Sequence, residues 1–223
     1  MLFRSLRHLD LFEQADPHCC TLATQMARGR FLSILATTQR HKVRLAEDGY
    51  IAWLNVSDRQ YLEPMPPDFS YENPTVDYTA IQQAIPQVVD YIFSAQAQPH
   101  EYLWGGTVPP NYDCSGLMQA AFASAGIWLP RDAYQQEAFV DKISEESAQR
   151  GDLIFFGTDL KATHVGLYLG HGEYVHSSGK EHGHNGIAVS SLEGADSVSL
   201  FYASKLRGWG RVCRSYQPPL ALS

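Results

Sequence analysis

Asn111-Tyr112-Asp113-Cys114-Ser115-Gly116-Leu117 is the stretch that decides the reading of this chain. Asp-Cys-Ser-Gly opens a helix-like amphipathic run from Leu117 to Gly126, so the thiol of Cys114 is placed at a helix N-terminus. The partial positive charge of a helix end favours a thiolate. Further along, Thr163-His164-Val165-Gly166-Leu167-Tyr168-Leu169 and Glu173-Tyr174-Val175-His176-Ser177-Ser178 each present a histidine in a strand-like setting. A thiol on a helix start facing histidines on neighbouring strands is what a cysteine hydrolase needs. The helix end and one histidine make the thiolate, and a second polar group orients that histidine.

Around this centre the chain divides in two. Residues 19–62 read as short strands: Cys20 to Gln25, Arg30 to Leu35, Lys42 to Leu45 and Tyr50 to Leu54, with Glu47-Asp48-Gly49 as a turn. Such a run of short strands predicts a small barrel. Glu63-Pro64-Met65-Pro66-Pro67 is a proline-rich joint that no helix crosses. From Thr75 to Gln96 the apolar residues Ile81, Ile85, Val88, Val89, Ile92 and Phe93 share one helical face, with Pro86 expected to kink or divide it. His100 to Pro110 reads as a loop, Gly126 as the cap of the Cys114 helix, and Asp132 to Asp141 as another helix. Gly151 to Gly157, Thr163 to Gly170, Glu173 to Ser177, Gly186 to Ser190 and Gly208 to Arg214 read as antiparallel strands. Helices first and sheet last predict an α+β domain. The boundaries are residues 1–66 for the barrel, 67–78 for a linker and 79–223 for the α+β domain.

Composition narrows the function classes. The 223 residues are 44% apolar and 12% aromatic, ample for packed cores, and the net charge is −7. That charge, without a Lys/Arg run, argues against nucleic acid or an anionic membrane as partner. Four cysteines, Cys19, Cys20, Cys114 and Cys213, are too few for a disulfide framework and lack zinc spacing. Cys19, Cys20 and Cys213 are expected to be buried apolar filler. The first ten residues are broken by Arg4, Arg7, His8 and Asp10, unlike a secretory leader, so a cytoplasmic protein is expected. No cofactor and no metal are called for. His171, His176, His182 and His184 form the one histidine group that invites a metal reading.

Six motifs in order now carry a resemblance. They are Tyr102-Leu-Trp104-Gly-Gly-Thr107, Asp113-Cys114-Ser115-Gly116-Leu117, Leu129-Pro-Arg131-Asp132, Gly151-Asp-Leu-Ile-Phe-Phe156, His164-Val-Gly-Leu-Tyr-Leu-Gly170 and Tyr174-Val-His176. From about 80 to 214 the chain resembles the NlpC/P60 cysteine peptidases. The front part, through Gly29 to Leu35 and Asp48-Gly49-Tyr50 to Trp53-Leu54, resembles a bacterial SH3-like (SH3b) module. Together they look like the γ-D-glutamyl-L-diamino acid endopeptidases that act on murein peptides.

The resemblance implies a papain-like fold and a role for each matching position. Cys114 is the nucleophile, His164 its base, His176 the group orienting His164, and Tyr102 a hydroxyl that assists the oxyanion. Asp113 and Ser115 line the substrate groove. Asp132 meets the free amine of an N-terminal L-Ala, although Ala133 stands where related members often carry Ser. The SH3-like module is expected to block one end of the groove, with Tyr50 and Glu47 or Glu63 facing that amine and Trp104 nearby. Each assignment has a plainer competitor: Asp132 as a helix cap, Tyr50 as a turn residue of its own barrel, and Tyr102 and Trp104 as loop packing. The expected substrate is a small murein peptide, L-Ala-γ-D-Glu-meso-diaminopimelate, cleaved in wall-peptide recycling. The alternatives are an exported hydrolase of polymeric wall and a non-catalytic wall-peptide-binding module.

Overall fold

A computed structural model describes residues 1–219; residues 220–223, within the expected second domain, lie outside the described residues. The front half is a seven-stranded antiparallel sheet. Its strands are β1 (Leu2–Ser5), β2 (Leu9–Phe12), β3 (Leu22–Met26), β4 (Phe31–Thr37), β5 (Arg40–Leu45), β6 (Ile51–Asn55) and β7 (Leu62–Pro64), in the order β3-β2-β6-β5-β4-β1-β7. The sheet curls around a core of its own that includes Leu11, Met26, Leu32, Val43, Leu45 and Leu54. Strands β1 and β2 fall in the charged N-terminal stretch. Their inward positions alternate, Phe3 and Ser5, then Leu9 and Leu11, while Arg4 and Asp10 point outward and supply the charges that broke the apolar run.

Residues 65–77 hold no helix or strand. Helix α1 (Tyr78–Gln96) then starts on Asp77, whose side chain accepts from the Ala80 amide at 2.8 Å. Pro86 does not divide α1, because it lies on the exposed face. There the carbonyl left without a partner can turn to water. A short hairpin, β8 (Thr107–Val108) and β9 (Asn111–Tyr112), precedes helix α2 (Cys114–Ser124). Helix α2 ends in a Schellman motif: Gly126, at φ +75°, donates to Ala123 O and Ile127 to Phe122 O. Helix α3 (Ala133–Phe139) stops earlier than expected, and Asp141–Ile143 forms edge strand β10 instead.

The second sheet contains β10, β11 (Leu153–Gly157), β12 (Ala162–Gly170), β13 (Glu173–Ser178), β14 (Gly186–Ser191) and β15 (Leu206–Arg211), in the order β10-β15-β11-β12-β13-β14, with all pairs antiparallel. Period-two alternation sorts its side chains. Leu153, Phe155, Val165, Leu167 and Val175 face the core shared with α1 and α2. Ile154, Phe156, Tyr168 and Tyr174 face the opposite side, covered by Tyr202 of helix α4 (Ser197–Ala203). The architecture is α+β behind a curled β-sheet module.

The two halves are joined by buried and part-buried hydrogen bonds. Gln119 of α2 donates to Asp48 at 3.0 Å, Arg131 to Thr24 at 2.8 Å, and Thr107 to the Gln25 carbonyl at 2.8 Å. The last of these covers the free edge of β3 with the β8–β9 hairpin. Among the described residues no helix is long and apolar enough to cross a membrane.

Candidate active site

Cys114 is the first residue of α2, and Asp113 is its N-cap, accepting from the Gly116 amide at 2.6 Å. No side chain fits at Gly116, since a Cβ there would collide with the Gly106 carbonyl. The first turn of α2 therefore needs glycine where the Gly106 backbone crosses it. Nearly every position of α2 from Cys114 to Phe122 is buried, which fixes the helix firmly on the sheet.

Arg131 locks this entrance from beneath. It is 2% exposed and its guanidinium reaches Asp113 Oδ2 at 2.6 Å, Asp113 Oδ1 at 3.2 Å and Ser115 Oγ at 3.1 Å. With the bond to Thr24, one arginine ties the cap of α2 to the front module. A buried pair of this kind is costly to break from one side, because the remaining charge has no solvent. The guanidinium pKa is raised by Asp113 against the cost of burial. Asp113 and Ser115 thus both line the cleft and belong to the support of the helix start.

His164 on β12 and His176 on β13 meet directly. Nε2 of His164 lies 2.7 Å from Nδ1 of His176, with the rings perpendicular. That leaves Nδ1 of His164 as the nitrogen to exchange a proton with a thiol. Tyr202 stacks on the His164 ring at 4.2 Å between centroids and is within electrostatic reach of Cys114. The sequence does not single Tyr202 out, because α4 is a short helix whose apolar positions carry no long period. Its start was readable in Asp196, which accepts from the Val198 and Ser199 amides.

The electrostatics differ from the expectation of a ready-made thiolate. Burial pushes the Cys114 thiol up to about 12, and the charge of Asp113 adds to it. Backbone hydrogen bonds from Val165 and Ser115, and the charge of Arg131, work in the opposite direction. The helix end does favour a thiolate, but Asp113 occupies that end with a negative charge of its own. His164 is lowered by burial to about 3, and His176 well below its usual range by burial and by the charge of His164 and His184. Burial thus favours the neutral thiol and the neutral imidazole in the resting site.

This has a consequence for stability. His164 and His176 bind protons less well folded than unfolded, so stability is full above the ordinary imidazole value and declines as pH falls below it. Between about pH 7 and about pH 5 the urea midpoint of the wild type should drop more steeply than that of His164→Gln. The difference in slope is at most about 1.4 kcal/mol per pH unit for one group. Parallel slopes for the two proteins would show that His164 does titrate normally in the fold.

A cleft of about 320 Å³ opens over Cys114, walled by both halves: Glu13, Ala23 and Tyr50 from the front module, and Tyr102, Trp104, Asp132, Tyr134 and Lys161 among those from the second. Asp132 stands at the start of α3, and its amide donates to Gln135 Oε1 at 3.1 Å. Its pKa is raised by burial and by Asp113 and Asp48, against Arg131 and the neighbouring Tyr50 hydroxyl. Tyr50 therefore packs in its own module and also faces the cleft. Tyr102 is held by a bridge to Tyr112, and its hydroxyl stays protonated because burial and the nearby Cys114 and Asp113 raise its pKa. Trp104 is 63% exposed, with Nε1 3.4 Å from Glu13 Oε1.

Glu63 is not brought to the cleft. It lies on β7 in an exposed ion pair with Arg4 at 2.7 Å. Glu47 is buried against Arg30 at 3.0 Å and also does not line the cleft. Cys20 is exposed and Cys19 and Cys213 are half-buried, so they are not the core filler expected of them. Among the described residues no group of three or more His, Cys, Asp or Glu is arranged to hold a metal.

Comparison with known proteins matches residues 99–200 to the NlpC/P60 family and residues 14–58 to the bacterial dipeptidyl-peptidase Sh3 domain. The bifunctional muramidase/DL-endopeptidase CwlT of Bacillus subtilis is 41% identical over 121 residues, 52% of this chain and 33% of that protein. The probable endopeptidase p60 of Listeria seeligeri is 38% identical over 121 residues, 53% of this chain and 21% of that one. The gamma-DL-glutamyl hydrolase of Bacillus subtilis is 39% identical over 84 residues, 36% of this chain and 20% of that one. This chain therefore spans a third or less of each of these relatives. A solved NlpC/P60 family protein from Bacillus cereus shares the fold over 95% of this chain and 63% of its own, at 23% identity and a TM-score of 0.50. The cleft over Cys114 thus lies between a segment that matches the bacterial dipeptidyl-peptidase Sh3 domain and one that matches the NlpC/P60 family.

Proposed function

We propose that the protein is a cysteine endopeptidase that hydrolyses the γ-D-glutamyl–diamino acid bond of free murein peptides bearing an N-terminal L-Ala. The observation that carries this reading is the joint wall of the cleft. Tyr50 of the front module and Asp132 of the second domain line the same cleft as Cys114 and lie within electrostatic reach of each other. A half-buried carboxylate with a phenol beside it fits an ammonium, which restores the ionised form that burial disfavours. The endopeptidase and glutamyl hydrolase activities named for the relatives support the reaction class.

In this reading the Cys114 thiol passes its proton to Nδ1 of His164 as the sulfur attacks the γ-carbonyl carbon. The oxyanion is met by the Tyr102 hydroxyl and by amides at the start of α2, which a helix leaves without intrahelical partners. Collapse of the tetrahedral intermediate breaks the C–N bond. His164 returns the proton to the departing amine of the diamino acid, leaving a thioester on Cys114. Water, with His164 again taking a proton, releases L-Ala-γ-D-Glu and the free thiol. The neutral resting pair fits this sequence, since the proton moves only when an amide is seated.

Incubation with L-Ala-γ-D-Glu-meso-diaminopimelate should give the dipeptide and free diamino acid by mass spectrometry, while intact sacculi under the same conditions should release little. Fragments released from sacculi at a rate matching the tripeptide would instead assign the protein to polymeric wall. Peptide binding with no product from either would assign it as a binding module. A recycling role of this kind, and the cytoplasmic location it implies, are part of the proposal.

A further inference from the structure

The histidine pair does not end at His176. Nε2 of His176 lies 3.0 Å from Ser190 Oγ on β14, and the same Oγ lies 3.1 Å from Nε2 of His184. His176 is fully buried and Ser190 is 5% exposed, whereas His184 is exposed, with its amide donating to Ser178 Oγ at 3.2 Å. A continuous chain of polar atoms therefore runs from His164 through His176 and Ser190 to the surface. Nothing in the reaction described so far uses its outer half.

Its direction follows from the tautomers. For His164 to receive the thiol proton on Nδ1, its own proton must be on Nε2, where it is donated to Nδ1 of His176. His176 then carries its proton on Nε2 and donates it to Ser190 Oγ. The Ser190 hydroxyl completes the chain by donating to Nε2 of His184. Each group has one acceptable orientation only while the next one accepts.

We propose that Ser190 and His184 are positioning residues that hold His176, and through it His164, in the tautomer able to take the Cys114 proton. The proposal rests on the assignment of Cys114 and His164 as nucleophile and base. Without Ser190, the buried Nε2–H of His176 loses the acceptor that it has on β14. The tautomer with the proton on Nδ1 then becomes competitive. That proton faces Nε2 of His164, which must give up its own proton and carry it on Nδ1, the wrong nitrogen for accepting from a thiol. The outer residues thus act on the proton-transfer step and not on peptide binding.

Two measurements test this. Ser190→Ala should lower kcat for the tripeptide about tenfold with KM unchanged, the effect of losing about 1.4 kcal/mol in the transition state. His184→Ala, at the exposed end, should lose about threefold in kcat, consistent with a partly solvated hydrogen bond. His184→Gln, whose amide oxygen can accept from Ser190, should recover most of that loss. The same order is expected in the rate at which iodoacetamide alkylates Cys114, a reaction that needs no peptide and so judges the chain even where the substrate assignment fails. Ser190→Ala and His184→Ala with wild-type kcat and alkylation rates would overturn the proposal. So would losses confined to KM, or no recovery in His184→Gln. The exposed His184 variants keep the test decisive if Ser190→Ala is too unstable to assay.

Discussion

Cys114→Ala should abolish peptide cleavage, by about 10⁴-fold or more in kcat, as expected when a covalent nucleophile is removed. The fold should be unaffected. The substitution removes one sulfur atom at the first position of α2, and alanine is the best helix former. The capping bond from Asp113 to the Gly116 amide and the Arg131 pair do not involve the thiol. Cys20→Ala and Cys19→Ala, at an exposed and a half-buried position of the front module, should keep wild-type turnover. Wild-type turnover in Cys114→Ala would remove the whole mechanism. The electrostatics add a second expectation. With the thiol pushed up to about 12 and His164 lowered to about 3, the resting enzyme holds little thiolate at neutral pH. Alkylation of free Cys114 should therefore be slow near neutrality and keep rising on the alkaline side. A preformed ion pair would instead give a fast rate with a plateau on the acid side. The kcat profile should still be bell-shaped, and its limbs belong to the coupled pair in the peptide complex.

The centre of this site was legible because its chemistry is local in sequence. Asp113-Cys114-Ser115-Gly116 contains its own cap, nucleophile and close-approach glycine, and a run of that kind reads the same before and after folding. His164 and His176 were legible because antiparallel strands joined by a tight turn put them side by side. What the sequence hid is of two sorts. Some residues act through distant partners: Arg131 was visible in its motif, but its role depends on Thr24 and Asp113, which only the packing of the two halves brings to it. Ser190 and His184 likewise become meaningful only when β14 lies beside β13. Others were hidden by competing signals. Arg4, Arg7 and Asp10 broke the apolar N-terminus and obscured β1 and β2, although Phe3, Leu9 and Leu11 alternate as strand residues do. The thiol's place at the helix start was legible, but its burial, which raises its pKa ahead of the Asp113 charge, becomes visible only when α2 packs on the sheet.

N-acetylation of the substrate's L-Ala should reduce kcat/KM at least about a hundredfold, since about 2.7 kcal/mol corresponds to two decades. The argument joins the two halves of the molecule. Asp132 is half-buried, with Tyr50 beside it in the cleft, Arg131 as its cationic neighbour, and Asp113 and Asp48 as further acidic groups. Burial first, and then these acids, raise its pKa against Arg131, so a further cation is favoured there. An ammonium there satisfies a charge that is otherwise poorly solvated, and removing one partner of a desolvated pair costs about 2–5 kcal/mol. Acetylation removes the positive charge and adds bulk against a wall built by Tyr50 and Ala23 of the front module. Asp132→Asn keeps the shape and removes the charge, so it should narrow the gap between free and blocked peptides mainly by slowing the free one. Tyr50→Phe should narrow it less, because it takes away the hydroxyl and leaves the carboxylate. Equal kcat/KM for free and N-blocked peptides in the intact protein would separate the chemistry at Cys114 from the selectivity assigned to the shared wall. In that case the front module would be left without a role in the choice of substrate, and polymeric wall, whose peptides carry no free N-terminal amine, would become the better-fitting substrate.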